Sequence, residues 1–167
     1  VFEYYFQSKL VRVGLDGTQT EVAPVGLYTS ASPSPDGKYL LVQSIHRPFS
    51  YHVPLSRFPK RMAVHDAAGA LVKEVADLPL ADSIPIAFGS VRTGPRSLGW
   101  RSDRPASLTW TEALDDGDAG KEAEHRDVLK ELEAPFKGEA KELWKSQLRF
   151  GGVSWGNDTL AMAMEWW

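Results

Sequence analysis

Short apolar runs alternate with polar turn residues along most of the chain. Residues 39–42 are apolar and β-prone at consecutive positions, which is typical of a strand buried on both faces. The preceding Pro35 presets its φ near about −65°, and Gly37 accepts a positive φ without a Cβ clash. Residues 32–42 therefore predict the end of one strand, a tight turn and the start of a second strand.

The same pattern predicts a succession of short strands, paired around Gly, Pro, Asp and Asn turns. Two stretches, residues 121–132 and 139–145, also contain helix-favouring side chains, and a short helix is the alternative in each. Because the surrounding pattern repeats, we predict strands there. The predicted strands cover residues 9–15, 18–23, 27–32, 38–45, 61–66, 70–75, 97–100, 106–114, 126–132, 139–144, 149–155 and 159–166.

Three predicted turns share one arrangement, in which an apolar strand, a Ser or Trp, an Asp-bearing turn and a second apolar strand follow each other. They are centred on Asp36, Asp103 and Asp158, and two further strands lie between successive centres. Units of four antiparallel strands, repeated about every 40–50 residues, indicate β-propeller blades, here lengthened by loops. An antiparallel sandwich or barrel is the alternative.

The sequence thus predicts an all-β fold, a partial β-propeller of four-stranded antiparallel blades. Its predicted parts are a half-blade at residues 1–26, full blades at 27–76 and 97–145, a half-blade at 148–167 and a long connection at 77–96. Because fewer strands are present than a closed propeller needs, we expect an open arc, or self-association through unpaired edge strands. The bulky apolar residues at both ends indicate a piece of a longer polypeptide.

Composition narrows the classes of function. The chain has 167 residues, a net charge of −3 and no cysteine, which excludes a disulfide framework and a thiolate zinc site. No stripe of Lys and Arg suits nucleic acid, and no apolar run suits a membrane span. We predict a soluble protein that binds neither nucleic acid nor membrane and uses no cofactor. Its compartment stays open, a bacterial periplasm or secretion being one option.

Candidate catalytic and metal-binding patterns are weak. Residues 152–156 match the G-x-S-x-G of a nucleophile elbow, but no histidine follows Ser154, so we predict a strand there and no catalytic residue. Residues 116–120 resemble a calcium loop only faintly, and a solvated acidic loop is the better interpretation. We predict no metal site, because the four histidines have no zinc-ligand spacing. They are His46, His52, His65 and His125.

Several longer strings resemble a known family. Residues 34–40, Ser-Pro-Asp-Gly-Lys-Tyr-Leu, are similar to the blade motif of the prolyl oligopeptidase family. Loop strings distributed over nearly the whole chain resemble one branch of that family more specifically, the glutamyl endopeptidases. They are IHRPFSY at 45–51, SRFP at 56–59, ADLPLAD at 76–82, VRTGPR at 91–96, WTEALD at 110–115 and EWW at 165–167.

In that family a propeller lies beside a C-terminal α/β-hydrolase domain that carries a Ser-Asp-His triad. The resemblance implies a non-catalytic propeller part of a serine peptidase, which gates and orients peptide substrate for that separate domain. The alternative is a free-standing propeller-like module that binds a protein or peptide. The peptidase interpretation implies two partners, a hydrolase domain and a peptide with an acidic side chain.

The long loops supply candidate substrate-binding residues. In an up-and-down blade the long connections share one face, where recognition usually resides. A guanidinium suits an acidic side chain, because its planar fork matches a carboxylate. The alternative is that these arginines form salt bridges with Asp77, Asp82 or the hydrolase domain. The candidates, in order of preference, are Arg47 and Arg57, followed by His46, Arg92 and Arg96.

Overall fold

Each strand pairs only with strands adjacent to it in sequence in the computed structural model, which describes residues 1–84 and 87–166. A one-turn helix precedes the first strand, and a single 3-10 turn lies in the fourth connection. The helix is α1 (Phe2–Phe6), and the strands are β1 (Ser8–Val13), β2 (Gln19–Gly26), β3 (Tyr28–Pro33), β4 (Tyr39–Ile45), β5 (Lys60–Asp66), β6 (Leu71–Leu78), β7 (Arg96–Trp100), β8 (Ser107–Ala113), β9 (Asp127–Glu133), β10 (Lys141–Ser146), β11 (Arg149–Asn157) and β12 (Leu160–Trp166).

The chain divides into two compact units, Val1–Leu80 and Ala81–Trp167. Each unit contains one two-stranded hairpin and one four-stranded antiparallel meander. The hairpins are β1-β2 and β11-β12, and the meanders are β3-β4-β5-β6 and β7-β8-β9-β10. This arrangement confirms the predicted all-β fold class. Each of the two stretches with helix-favouring composition contributes a strand, β9 within 121–133 and β10 within 139–146, and neither contains a helix.

The predicted division into blades and half-blades stays a prediction. Its long connection at 77–96 includes residues 85 and 86, and its final half-blade includes residue 167. These three residues lie outside the described residues. Within each meander, consecutive connections lie at opposite ends of the sheet, so the loop between β4 and β5 lies opposite the turns on either side of it. The prediction that the long loops of both units share one face is not tested.

The turn between β3 and β4 forms as its sequence predicts. The Oδ1 atom of Asp36 accepts hydrogen bonds from the Ser34 hydroxyl at 2.7 Å and the Lys38 backbone N–H at 3.1 Å. These hydrogen bonds, with that from Ser34 the stronger influence, lower the pKa of Asp36. The Ser34 hydroxyl oxygen also accepts the Tyr39 backbone N–H at 3.0 Å, which closes the turn at the first residue of β4.

The core of each unit lies in the central strands of its meander. In the first unit β4 and β5 are buried at consecutive positions, as expected for strands covered on both faces. In the second unit β8 alternates apolar side chains with buried hydroxyl groups, which can hydrogen-bond within the sheet. The buried core residues of these strands are Leu41, Val42, Ile45, Met62, Ala63, Val64, Leu108, Trp110, Val128, Leu129 and Leu132, with the buried polar residues Ser107, Thr109 and Thr111.

Helix α1 is absent from the sequence prediction, because five residues are too few to show a helical period. None of its residues is buried. Its Phe2 ring lies 4.9 Å from the Phe49 ring and 5.9 Å from the Phe58 ring, measured between centroids. These aromatic contacts hold α1 against the loop between β4 and β5, so that the first seven residues of the predicted half-blade do not form a strand.

Two turn glycines with positive φ give a matched test of packing between β2 and the turn that joins β5 to β6. A Cβ on Gly69 would overlap the carbonyl oxygen of Val22, whereas a Cβ on Gly37 would meet open space. We expect Gly37→Ala to cost about 1 kcal/mol from its left-handed backbone alone. Gly69→Ala should cost about 1–3 kcal/mol more, because the overlap forces the two segments apart. Chemical denaturation of both variants measures the difference, and equal losses would contradict the packing of β2 on this turn.

Candidate functional site

In the first unit, Asp77 of β6 contacts His46, at the start of the loop between β4 and β5, and Arg61 of β5. Its Oδ1 atom lies 2.7 Å from Nε2 of His46, and its Oδ2 atom accepts a hydrogen bond from Arg61 at 2.9 Å. The hydrogen bond from Arg61 and then that from His46 lower the pKa of Asp77. The Nδ1 atom of His46 lies 2.7 Å from the carbonyl oxygen of Arg47. Both ring nitrogens thus lie within hydrogen-bond distance of an oxygen atom.

Arg47 holds a carboxylate in the geometry that an acidic ligand would adopt. Its Nε donates to Oε1 of Glu3 at 3.0 Å, while its Nη2 donates to Oε2, so the pair is bidentate. The hydrogen bond to Arg47 lowers the pKa of Glu3. The guanidinium carbon also lies 5.6 Å from the centroid of the Phe49 ring. With 73% of its side chain exposed, Arg47 combines a carboxylate-binding geometry with access to solvent.

Arg57 lies on the same loop as His46 and Arg47, at the end of the 3-10 turn Leu55–Arg57. The backbone N–H of Arg57 donates to the carbonyl oxygen of Pro54 at 2.9 Å, which fixes this turn. The next residue, Phe58, is buried and its ring lies 5.6 Å from that of Phe49. One loop of the first unit therefore carries three of the five candidate residues, held by ion pairs at one end and by aromatic packing at the other.

In the second unit, five charged side chains form a buried network that we call the Arg149 cluster. Arg149 is fully buried. It donates through Nη2 to Asp115 at 2.7 Å and through Nη1 to Asp127 at 3.1 Å. Asp115 also accepts Arg126 at 3.0 Å. The members of the cluster are Arg96, Arg126, Arg149, Asp115 and Asp127.

The Arg149 cluster also holds backbone from separate segments of the unit. The Nε of Arg149 donates to the carbonyl oxygen of Gly89 at 2.7 Å, in the connection that precedes β7. Asp115 accepts the Gly117 N–H at 3.0 Å, and Asp127 accepts the Phe150 N–H at 2.8 Å. One buried guanidinium thereby fixes two loops against the first residues of β9 and β11.

Charge pairing lowers the pKa of Asp115 although its carboxylate is buried. Burial raises the pKa of Asp115, but the hydrogen bonds from Arg149 and Arg126 outweigh burial, and the net shift is downward. A buried ion is costly unless it is paired and hydrogen-bonded. The cluster is therefore stable as a network and vulnerable to the loss of any one member.

The two candidate arginines of the second unit have different surroundings. Arg96 donates to the fully buried Asp127, and only 16% of its side chain is exposed. Arg96 thus forms a salt bridge, which is the alternative to substrate binding that the sequence analysis raised. Its partner is Asp127 and not Asp77 or Asp82. Arg92 is half-buried, and burial lowers its pKa. A substrate role for either arginine stays a prediction.

Sequence reasoning missed Arg149, Asp115 and Asp127. Asp115 directly precedes the acidic loop predicted at residues 116–120, and Arg149 is the first residue of a predicted strand, yet both are buried. The available signal was slight, an arginine directly before the apolar Phe150 at the start of a predicted strand. That signal does not identify a partner, because Asp115 lies 34 residues away.

The G-x-S-x-G string, Trp100 and Trp155 lie in β-strands. Ser154 lies within β11 and pairs with Met162 of β12, as a strand residue would. Trp155 packs under the guanidinium of Arg101, whose central carbon lies 3.9 Å from the ring centroid. The Trp100 ring lies 6.0 Å from that of Phe136. Both tryptophans thus contribute packing, as their repeated positions suggest.

Among residues 1–84 and 87–166, no group of three or more His, Asp or Glu side chains is arranged to hold a metal ion. No helix in the same residues has the length and apolar character needed to cross a membrane.

The Arg149 cluster predicts a large stability loss when its central cation is removed. We expect Arg149→Met to lower the free energy of unfolding by about 3–5 kcal/mol, because Asp115 and Asp127 would stay buried without their main partner. The control is Lys9→Met, which removes a cation from an exposed pair with Glu21 and should change stability by less than about 1 kcal/mol. Urea denaturation measures both values, and equal effects would contradict the role of the buried cluster.

Acid should weaken the cluster through Asp115. Its folded-state pKa is lowered, so its stabilising contribution is complete above the unfolded value of about 3.9 and is lost as the pH falls through the folded pKa. We expect Asp115→Asn to be less stable than the native chain at neutral pH and to lose stability less steeply below about pH 4. Unfolding free energies measured between neutral and acidic pH test this. Parallel curves for the two proteins would contradict it.

Two known proteins are similar to this chain over its whole length. The whole chain aligns with a protein of Arabidopsis thaliana named probable glutamyl endopeptidase, chloroplastic, at 50% identity over 169 residues. A protein of the same name from Oryza sativa subsp. japonica aligns at 48% identity, also over the whole chain. The chain spans 18% of the length of each of these relatives. No family model and no solved structure matches it. The chain is therefore homologous to a segment of much longer proteins that carry a peptidase name.

Proposed function

We propose that this chain is the non-catalytic β-propeller part of a glutamyl-endopeptidase-like serine peptidase of the prolyl oligopeptidase family. In this role it restricts access to a separate α/β-hydrolase domain and orients peptide substrates for it. The observation that carries the proposal is alignment of the whole chain, at about half identity, with two proteins named glutamyl endopeptidase. The chain spans 18% of each relative, which leaves ample length for a catalytic domain elsewhere.

The β-architecture supports a scaffold role. Four-stranded antiparallel meanders are the repeating units of propellers, and their loops carry recognition residues on a rigid sheet. The only G-x-S-x-G string lies inside β11, and no histidine follows it in the sequence. Chemistry by a Ser-Asp-His triad therefore requires residues from another part of the parent polypeptide.

The loop between β4 and β5 supports recognition of an acidic side chain. Arg47 already binds the carboxylate of Glu3 through both of its donor arms while staying largely exposed. A glutamate side chain of a peptide could replace Glu3 with the same bidentate geometry. Arg57 and His46 lie on the same loop, whereas Arg96 is committed to Asp127. Among the candidates, Arg47 is therefore the first choice for substrate contact.

The second candidate function is a free-standing module that binds a protein or peptide. The loops described here would serve such a module equally well. The greater length of both relatives favours the peptidase.

Arg47→Ala in the full-length parent protein tests the assignment. We expect kcat/KM for a peptide with Glu at the cleaved position to fall about 10- to 100-fold, the range for losing hydrogen bonds to a charged group. A matched peptide with Gln in place of Glu should lose much less, because the missing interaction is with the carboxylate. Arg12→Ala serves as the control, since Arg12 is an exposed β1 residue whose guanidinium donates to the carbonyl oxygen of Ala67 at 3.5 Å, in the turn between β5 and β6.

Two outcomes would count against these claims separately. Unchanged cleavage of both peptides by Arg47→Ala would remove Arg47 from the substrate site. Failure of the unaltered full-length protein to cleave any peptide would overturn the peptidase assignment itself.

A further inference from the structure

The carboxylate of Glu3 occupies the guanidinium that we assign to the substrate. Both of its oxygen atoms accept hydrogen bonds from Arg47, one from Nε at 3.0 Å and the other from Nη2. A second carboxylate on the same guanidinium would lie close to the first, and two like charges at such a distance repel each other. Glu3 and the acidic side chain of a peptide therefore compete for Arg47.

Aromatic contacts keep Glu3 beside Arg47. The ring of the adjacent Phe2 lies 4.9 Å from that of Phe49 and 5.9 Å from that of Phe58, between centroids. The guanidinium carbon of Arg47 lies 5.6 Å from the centroid of the same Phe49 ring. Phe49 thus contacts both the arginine and the helix that carries the competing carboxylate. A tethered group of this kind acts at an effective concentration on the order of 1 mM or more, whatever the protein concentration.

The pair between Glu3 and Arg47 can open without unfolding the unit. The Glu3 side chain is 38% exposed and that of Arg47 is 73% exposed, so water reaches both charges. Exposed ion pairs favour the closed form over the open form by a factor of only about 1 to 5. Rotation of the Glu3 side chain releases the guanidinium while Phe2 keeps α1 in place. The contact is thus weak enough for a ligand to displace.

We propose that Glu3 is an internal competitor that lowers the affinity of Arg47 for acidic peptides. Its carboxylate covers the guanidinium in the free protein, and the glutamate side chain of a bound peptide displaces it. A peptide with a neutral side chain leaves the pair closed, so Glu3 also reduces the preference for Glu over Gln. The proposal rests on the proposed function, in which Arg47 contacts the acidic side chain of the substrate. It adds a specificity-determining residue that lies outside the loop between β4 and β5.

Glu3→Gln in the full-length parent protein tests the competition, because it removes the charge and nearly preserves the shape of the side chain. We expect KM for a peptide with Glu at the cleaved position to fall about two- to sixfold, since the competent open form is no longer a minor fraction. The value of kcat should stay the same, because a saturating peptide has already displaced Glu3. KM for the matched peptide with Gln should change little.

Two controls separate competition from a general effect of charge. Glu21→Gln removes the same charge from another exposed ion pair of the first unit, that with Lys9 at 3.6 Å, and should leave KM for both peptides as in the native protein. Glu3→Gln combined with Arg47→Ala should cleave the Glu peptide as Arg47→Ala alone does. Without the guanidinium there is no shared partner for which Glu3 and the peptide compete.

Direct binding tests the same competition without cleavage. The probe is a fluorescein-labelled peptide with the same Glu-containing sequence, and its binding to each full-length variant is followed by fluorescence anisotropy in the cold. Mass spectrometry after each titration confirms that the probe is intact. We expect Glu3→Gln to tighten binding of this probe about two- to sixfold and Glu21→Gln to leave it unchanged.

Each outcome supports or overturns the proposal. Unchanged affinity for the Glu peptide in Glu3→Gln would overturn it, and so would weaker affinity, which would instead show that Glu3 holds the loop in its binding shape. An equal gain in Glu21→Gln, or a gain that persists with Arg47→Ala, would assign the effect to net charge and overturn the competition. In these cases continued cleavage of Glu peptides would leave the proposed function intact. Absence of any cleavage by the native protein would count against that function alone, because the titrations would still test the competition.

Discussion

The buried guanidinium of Arg149 is the interaction on which the second unit depends. It binds two buried carboxylates and two backbone carbonyl oxygens, those of Gly89 and Arg126, and these partners come from separate connections and strands. A charge in this position is favourable only while its partners stay in place, because an unpaired buried ion is strongly destabilising. The cluster therefore acts as a geometric constraint, since the loops before β7 and β9 must adopt the positions that satisfy Arg149.

The first unit fixes its long loop by different means. Asp77 holds the start of the loop through His46, and aromatic packing of Phe2 on Phe49 and Phe58 holds α1 against it. These contacts are more exposed than the Arg149 cluster and leave Arg47 accessible. A loop that is already fixed on a regular sheet can bind a ligand at low entropic cost, because little of the loop has to become ordered on binding.

Local chemistry explains how much the sequence predicted. The strands and turns were predictable because apolar runs and residues such as Asp36 and Gly37 act on their immediate neighbours. The pairing of Arg47 with Glu3 spans 44 residues, and that of Arg149 with Asp115 spans 34. Neither partner choice has a local signature. The sequence therefore identified Arg47 as a candidate without showing its carboxylate partner, and it did not identify Arg149.

Amide hydrogen exchange in the Arg149→Lys variant most directly tests whether the guanidinium of Arg149 holds the Arg149 cluster together. Lysine keeps one positive charge but has three donors on a single nitrogen, so it cannot reproduce the five hydrogen bonds that the planar guanidinium makes from three nitrogens. The account predicts faster exchange at the N–H groups of Val91, Gly117 and Phe150, which lie in the segments that the cluster joins, with unchanged exchange at Tyr39 in the first unit. Native protection at all three amides would contradict the claim that this guanidinium holds those segments together.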